Sequence, residues 1–185
     1  VLLFITDKKG ICPCRILNWI LGVIVNLTRS IPFIILLIAI LPFTRLVAGT
    51  TIGTNATVVP LVVAAIPFIA RMVESSLKEV DYGVIEAAQA MGSGNFQIIW
   101  KVLLPEARPS LFVGCTIAFA TLLGYSAMAG FTGGGGLGAI AINYGYYRYK
   151  AGIMWATVLV LVLIVQIFQE LGMFIANKTD KRIRN

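Results

Sequence analysis

Apolar residues in this chain come in long runs, and polar residues gather in short islands between them. Leu111–Gly130 is twenty residues without a charge, enough to cross a bilayer as one helix. Ala151–Phe168 reads as the last span, and Val58–Ile69 as the start of another. Pro60 and Pro67 lie inside that run. Prolines leave backbone carbonyls unpaired and kink a membrane helix, so this one either lines a path or simply packs. Ile16–Leu27 is apolar over only twelve residues, short of the roughly 20 that span a bilayer. It is either interfacial or the first part of a bent span that resumes at Phe33–Phe43, beyond Arg29-Ser30-Ile31-Pro32. Leu46–Thr57, rich in Gly, Thr and Asn, is a turn. Val1–Ile5 reads as the tail of a helix whose beginning is missing.

Composition turns this pattern into a class. The chain is 58% hydrophobic and 12% charged, with mean hydropathy +0.90, where a soluble domain is about 25% charged. The expectation is an all-α integral membrane protein, one transmembrane domain over residues 1–185. The spans are nearly uncharged, which argues against mere attachment to the interface. Arg29 would cost about 3 kcal/mol at the bilayer centre, so it is expected near an interface or snorkelling towards one. Arg71 and Glu74, three residues apart, can pair on one helix face and anchor the membrane edge. The chain has no histidine, which disfavours a histidine metal site or proton relay. Cys12-Pro13-Cys14 supplies too few ligands for zinc, which takes four, and leaves an exposed redox pair as its alternative reading. Cys115, within an apolar span, reads as a small core residue.

The net charge of +7 would suit a nucleic-acid partner, but its distribution argues otherwise. Lys8, Lys9, Arg15, Arg29, Arg71, Lys78, Lys101, Arg108, Lys178, Lys181, Arg182 and Arg184 fall on one side of the spans. Arg45, Arg148 and Lys150 fall on the other. Twelve against three places the central polar loop and the C-terminus in the cytoplasm. Basic residues thus fix orientation, and no nucleic-acid partner is expected.

That central loop, at about residues 78–108, is the most informative stretch. Between apolar runs it carries Glu86, Gln89, Asn95, Gln97 and Lys101. It reads as two short helices and a hinge. Asp81 can cap the first by accepting from free backbone N–H groups. Ala87, Ala88 and Ala90 favour helix with little bulk, so another protein surface can come close. Gly92-Ser93-Gly94 breaks the helix, since glycine costs about 1 kcal/mol in a helix interior. Ser93 or Asn95 can cap the second helix, Phe96, Ile99, Val102 and Leu103 form its apolar stripe, and Pro105 ends it.

Two later stretches are less specific. Gly133-Gly134-Gly135-Gly136 lacks the Lys-Ser/Thr of a phosphate-binding loop and reads as a flexible bend. Tyr144, Tyr146, Tyr147 and Tyr149 suit the membrane–water interface, or an aromatic cage for a ligand.

The spacing Glu86-Ala87-Ala88, three residues, Gly92, nine residues, Val102-Leu103-Leu104-Pro105 resembles the EAA loop of ABC importer permeases, with Val102 where the family pattern has isoleucine. The resemblance extends over nearly the whole chain and is strongest to methionine importer permeases. Arg29-Ser30-Ile31-Pro32-Phe33, Pro67-Phe68-Ile69-Ala70-Arg71 and Gly124-Tyr125-Ser126-Ala127-Met128 carry it. It implies a type I importer helical bundle of about five transmembrane helices, the first largely missing here. It implies no catalytic residue, metal site or cofactor in this chain, ATP and Mg being bound by a separate ATPase. The implied partners are two ATPase subunits, a second permease copy, an extracytoplasmic binding protein and the lipid bilayer. The implied location is the bacterial inner membrane. Glu86, Ala87, Ala88, Gly92, Val102, Leu104 and Pro105 would couple to the ATPase, and Tyr125, Ser126 and Met128 would line or gate the path. Met128 either plugs that path or packs between helices. The alternatives are a permease for another amino acid or a short peptide, or an ion-coupled secondary transporter. For the last, only Glu170, expected at a helix end, comes near midspan.

Overall fold

A computed structural model describes residues 1–7 and 10–179, and these are mostly helical, with no strand among them. Three helices are long and apolar enough to cross a membrane. The first of them is α5 (Thr54–Lys78), preceded by α1 (Leu2–Ile5), α2 (Arg15–Ser30), α3 (Phe33–Ala39) and α4 (Leu41–Ala48). Helix α2 and α3 form a pair bent by 101°, which gives a fourth span if the pair is one broken crossing. The pair fits a bent span or a re-entrant loop, with a much sharper corner than a proline kink alone. Pro32 precedes α3 and has no N–H to continue a ladder from α2.

The turn before α5 is shorter than expected. Helix α4 runs on to Ala48, and α5 begins at Thr54 rather than near Val58. Helix α5 is continuous through Pro60 and Pro67, and both prolines are buried. They pack.

The polar loop follows as α6 (Tyr82–Ala90), α7 (Asn95–Gln97), a π-helical stretch Ile98–Leu103 and α8 (Leu104–Glu106). Helix α9 (Arg108–Met128) starts with Pro109 in its first turn, where a missing N–H costs nothing. A 3-10 turn Ala129–Thr132, α10 (Gly136–Ile140) and a second π stretch Ala141–Tyr146 lead to α11 (Ala151–Thr179). The last helix thus extends eleven residues past the expected Phe168. Lys8, Lys9, Lys181, Arg182 and Arg184, used in the charge count, lie outside the described residues.

Helices α5, α9 and α11 pack side by side around glycines. A Cβ at Gly114 would overlap the Met72 side chain, and one at Gly172 would overlap Thr116. The four-glycine bend is closely packed at Gly133 and Gly134, while Gly135 and Gly136 face open space. A Cβ at Gly134 would meet Thr57 and Ala129, and one at Gly138 would run into the Ala127 backbone. Cys115 is exposed on α9, not a core residue.

The spans bury little of themselves within one chain. In α11 only Thr157 and Ala176 are buried. The main apolar core lies instead under the polar loop, where Phe4, Leu77, Val80, Ile85, Ala88, Ile98, Leu103 and Ala107 meet. A smaller one joins Phe33, Leu37 and Ala129 near the far end of α9.

Candidate functional site

Helix α6 is fixed at both ends. Asp81 Oδ1 accepts from the Gly83 N–H at 2.8 Å, the cap expected of it. Gly92 has φ +78°, a left-handed conformation that glycine adopts without strain, so the helix ends there as expected. Between these stops Ile85 and Ala88 are buried, while Glu86, Ala87, Gln89 and Ala90 face outward. The three residues Glu86-Ala87-Ala88 therefore split in role. Ala88 seats the helix on the core, and Glu86 and Ala87 form its free face.

The second half of the loop departs from expectation. Neither Ser93 nor Asn95 caps it. Gly94 holds the cap position, and Gln97 Oε1 accepts from its N–H at 3.3 Å. The apolar stripe is also different. Ile98 and Leu103 are fully buried, Ile99 and Val102 are partly buried, and Phe96 is 73% exposed. Five residues separate Ile98 from Leu103, the repeat of a π-helix rather than an α-helix. Pro105 explains the widening. It cannot donate to Lys101, and its ring would clash with that carbonyl in a regular helix. The ladder slips instead, with the Leu104 N–H donating to the Ile99 carbonyl. So Pro105 does not end the helix. The chain stays helical through Glu106, and Ala107 marks the corner into α9.

Within the loop motif, Glu86, Ala87 and Gly92 are exposed, Val102, Leu104 and Pro105 are half-buried, and Ala88 is buried. Met91, Phe96 and Trp100 add an exposed apolar surface, with Phe96 and Trp100 rings 6.1 Å apart. Beside it, Glu86, Tyr82, Lys78 and Asp7 line an open cavity of about 790 Å³.

A charge network braces the loop from below. Glu74, with a side chain 7% exposed, accepts from Arg71 at 2.6 Å and from Lys78 at 2.8 Å. The Arg71–Glu74 pair was legible in the spacing, but its reach was not. Arg71 also donates to Asn26 Oδ1 at 2.8 Å on α2, and Lys78 pairs with Asp7 at 3.2 Å. The sequence gives no local signal for Asn26 or Asp7, because both are brought in by the fold.

Tyr125, Ser126 and Met128 sit at the other end of α9, about 25–30 Å from the loop at 1.5 Å per residue. Tyr125 is half-buried and stacks on Phe33, with ring centroids 4.7 Å apart and planes within 2°. Ser126 is exposed and donates to the Leu123 carbonyl at 2.8 Å. Met128 is 43% exposed, so its thioether is not packed away within this chain. Among the described residues no group of three or more His, Cys, Asp or Glu side chains could hold a metal ion. Cys12 and Cys14 are free thiols, and Cys12 Sγ lies 3.1 Å from Asn95 Nδ2.

Residues 13–185 match the family described as the binding-protein-dependent transport system inner membrane component. The chain belongs to this family. It is thus a permease component of an ABC importer and a multi-pass membrane protein. It is 51% identical over 182 residues to the "Probable D-methionine transport system permease protein MetI" of Vibrio cholerae, covering 98% of this chain and 81% of that one. It is 44% identical over 181 residues to the "Methionine import system permease protein MetP" of Bacillus subtilis, covering 98% and 82%. Its fold is similar to that of a chain in the structure titled "Inward facing conformations of the MetNI methionine ABC transporter", with TM-score 0.95 and 48% identity over 97% of this chain and 83% of that one. The family match contains the whole EAA-type loop and the Tyr125–Met128 stretch.

One charged group is placed differently from expectation, and a second gains a contact that the sequence did not suggest. Glu170 lies nine residues inside the end of α11, where Gln166 Nε2 donates to it at 2.9 Å. Arg29 lies over the ring of Phe68 on α5, 6.0 Å from its centroid and three residues before Arg71 in that helix.

Proposed function

We propose that this chain is the membrane-spanning permease of an ATP-driven methionine importer, taking the L-isomer and the D-isomer as candidate cargo. The reading is carried by the high identity, along nearly the whole chain, to permeases named for methionine or D-methionine transport. The chain itself performs no covalent chemistry and carries no cofactor. Two copies form the path, two separate ATPase subunits bind ATP and Mg, and an extracytoplasmic protein delivers the cargo. The protein resides in the bacterial inner membrane with the EAA-type loop and C-terminus in the cytoplasm.

The exposed face of α6 supports the coupling role. A partner that closes on ATP must grip a surface that does not deform. Glu86 offers an exposed carboxylate, Ala87 and Ala90 allow close approach, and the core beneath transmits the displacement. ATP then selects one of two orientations of the spans, through its preference for the closed ATPase pair. Val102, Leu104 and Pro105 act from below by shaping the π stretch. At the far end Met128, Ser126 and Tyr125 form the gate, where a flexible thioether can repack as the path opens.

The test is uptake of labelled methionine into cells lacking the gene, restored with the intact gene or with Glu86→Lys. The expected outcome is uptake with the first and little with the second at equal membrane levels. Normal uptake with Glu86→Lys would refute the coupling role. ATP-dependent uptake of another solute, with none of methionine, would replace the cargo.

A further inference from the structure

Helix α2 is held to its neighbour in an unusual way. It is sixteen residues long and buries none of them within this chain, so apolar packing alone does not fix its place. Among the described residues, every hydrogen bond between α2 and α5 comes from one side chain, Arg71. Its Nη2 donates to Asn26 Oδ1 at 2.8 Å, and more weakly to the Gly22 carbonyl at 3.4 Å. Its Nη1 donates to Glu74 at 2.6 Å. Glu74 thus holds one side of the planar fork on α5, which turns the other side towards α2.

The neighbouring ties are weaker. Lys78 meets Asp7 before α2, but these side chains are 48% and 38% exposed, and a pair so well hydrated contributes little. The Arg29 guanidinium lies 6.0 Å from the Phe68 ring centre, the outer limit of a cation–π contact. The Arg71–Asn26 bond has a charged donor that is only 26% exposed, and such bonds are among the stronger ones.

Helix α3 is seated differently. Phe33 and Leu37 are buried in a core with Ala129, against Leu61 and Ala64 of α5 and Tyr125 of α9. Only Ile31 and Pro32, both extended, separate α3 from α2. The bent pair therefore meets α5 at two places, through α3 at Leu61 and Ala64 and through Asn26 at Arg71. These lie about 10–15 Å apart along α5 at 1.5 Å per residue. Two attachments fix the angle of a bent arm, where one lets it swing. Six residues beyond Arg71, Leu77 is fully buried in the core beneath α6. A displacement of α6 enters α5 at that core, and Arg71 is where α5 grips α2.

We propose that Arg71 and Asn26 are positioning residues for energy coupling: their hydrogen bond makes α2, and with it the α2–α3 corner, follow α5 when the loop is driven. The proposal rests on the coupling reading given above and deepens it by naming a contact through which the motion passes.

The test uses the full chain reconstituted in liposomes with its ATPase and binding protein, and reads ATP hydrolysed per methionine taken up. Asn26→Leu keeps the volume and removes the acceptor, whereas Asn26→Asp keeps an oxygen for Arg71. The ratio is expected to rise about fivefold or more in Asn26→Leu, the lower end of coupling between distant sites, and to stay within about twofold of the unaltered chain in Asn26→Asp. A merely structural role would lower the folded yield and leave the ratio unmoved, because the ratio counts only working molecules. A normal ratio in Asn26→Leu, or the same rise in both variants, would overturn the positioning role. If Glu86→Lys abolishes uptake in the same assay, the coupling reading survives that failure. Normal uptake with Glu86→Lys, or no methionine uptake by the unaltered chain, would overturn the reading beneath and the positioning role with it.

Discussion

Ile98 and Leu103 stand five residues apart on one helical stretch and are both completely buried in the same core. Only a π-helical repeat brings both to one face, and the proline two residues beyond Leu103 sets that repeat. The predicted consequence is a reversal of the apolar-stripe expectation. Ile98→Ala and Leu103→Ala should each destabilise the protein by about 2–5 kcal/mol. Phe96→Ala, at an exposed ring, should change stability by less than about 0.5 kcal/mol. Thermal unfolding of the detergent-solubilised protein measures all three.

How much of this loop was readable follows from the residues themselves. The Asp81 cap and the Gly92 stop depend on nearest neighbours, and the sequence shows them directly. Ile98 does not announce itself, because templates with spacings of three and four pass over a repeat of five. Phe4 and Asp7 join the loop from far away in the chain, so no local pattern contains them. The spans were legible by length and polarity, and their ends were not. Helix α11 continues past Phe168 because no Pro interrupts it and Gly172 packs against Thr116 of α9 rather than ending it. Arg29 meets Phe68 from far away in the chain, so no local pattern contains that contact either.

The Glu74 network should respond unequally to its members. Glu74→Gln leaves Arg71 and Lys78 facing a neutral group and should cost about 1–3 kcal/mol. Lys78→Ala removes a side chain that is 48% exposed and should cost less than about 1 kcal/mol. A double-mutant cycle on Arg71 and Glu74, read by thermal unfolding, isolates their coupling.

Gly138 and Gly114 both sit at close approaches, but against different neighbours. A methyl at Gly138 meets the Ala127 backbone, which cannot move aside, whereas one at Gly114 meets the flexible end of Met72. Gly138→Ala is therefore expected to lower the folded yield markedly, by about 1–3 kcal/mol of overpacking. Gly114→Ala should be tolerated with less than half of that cost. Yield and melting temperature after solubilisation compare the two.

Asp81→Ala should weaken the start of α6 by about 1 kcal/mol, the usual loss of a cap. Hydrogen exchange at Gly83 and Val84 should accelerate while exchange within α9 stays unchanged.

The core beneath the loop draws on α1, the end of α5, α6, the π stretch and the corner into α9. Close-packed interiors compress very little, so this knot cannot be dented at one point while the rest stays still. Any load applied to α6 must arrive at the roots of several spans simultaneously. On the proposed coupling role each cycle would be indivisible: the machine would advance by whole strokes, and a partial push would return to where it began.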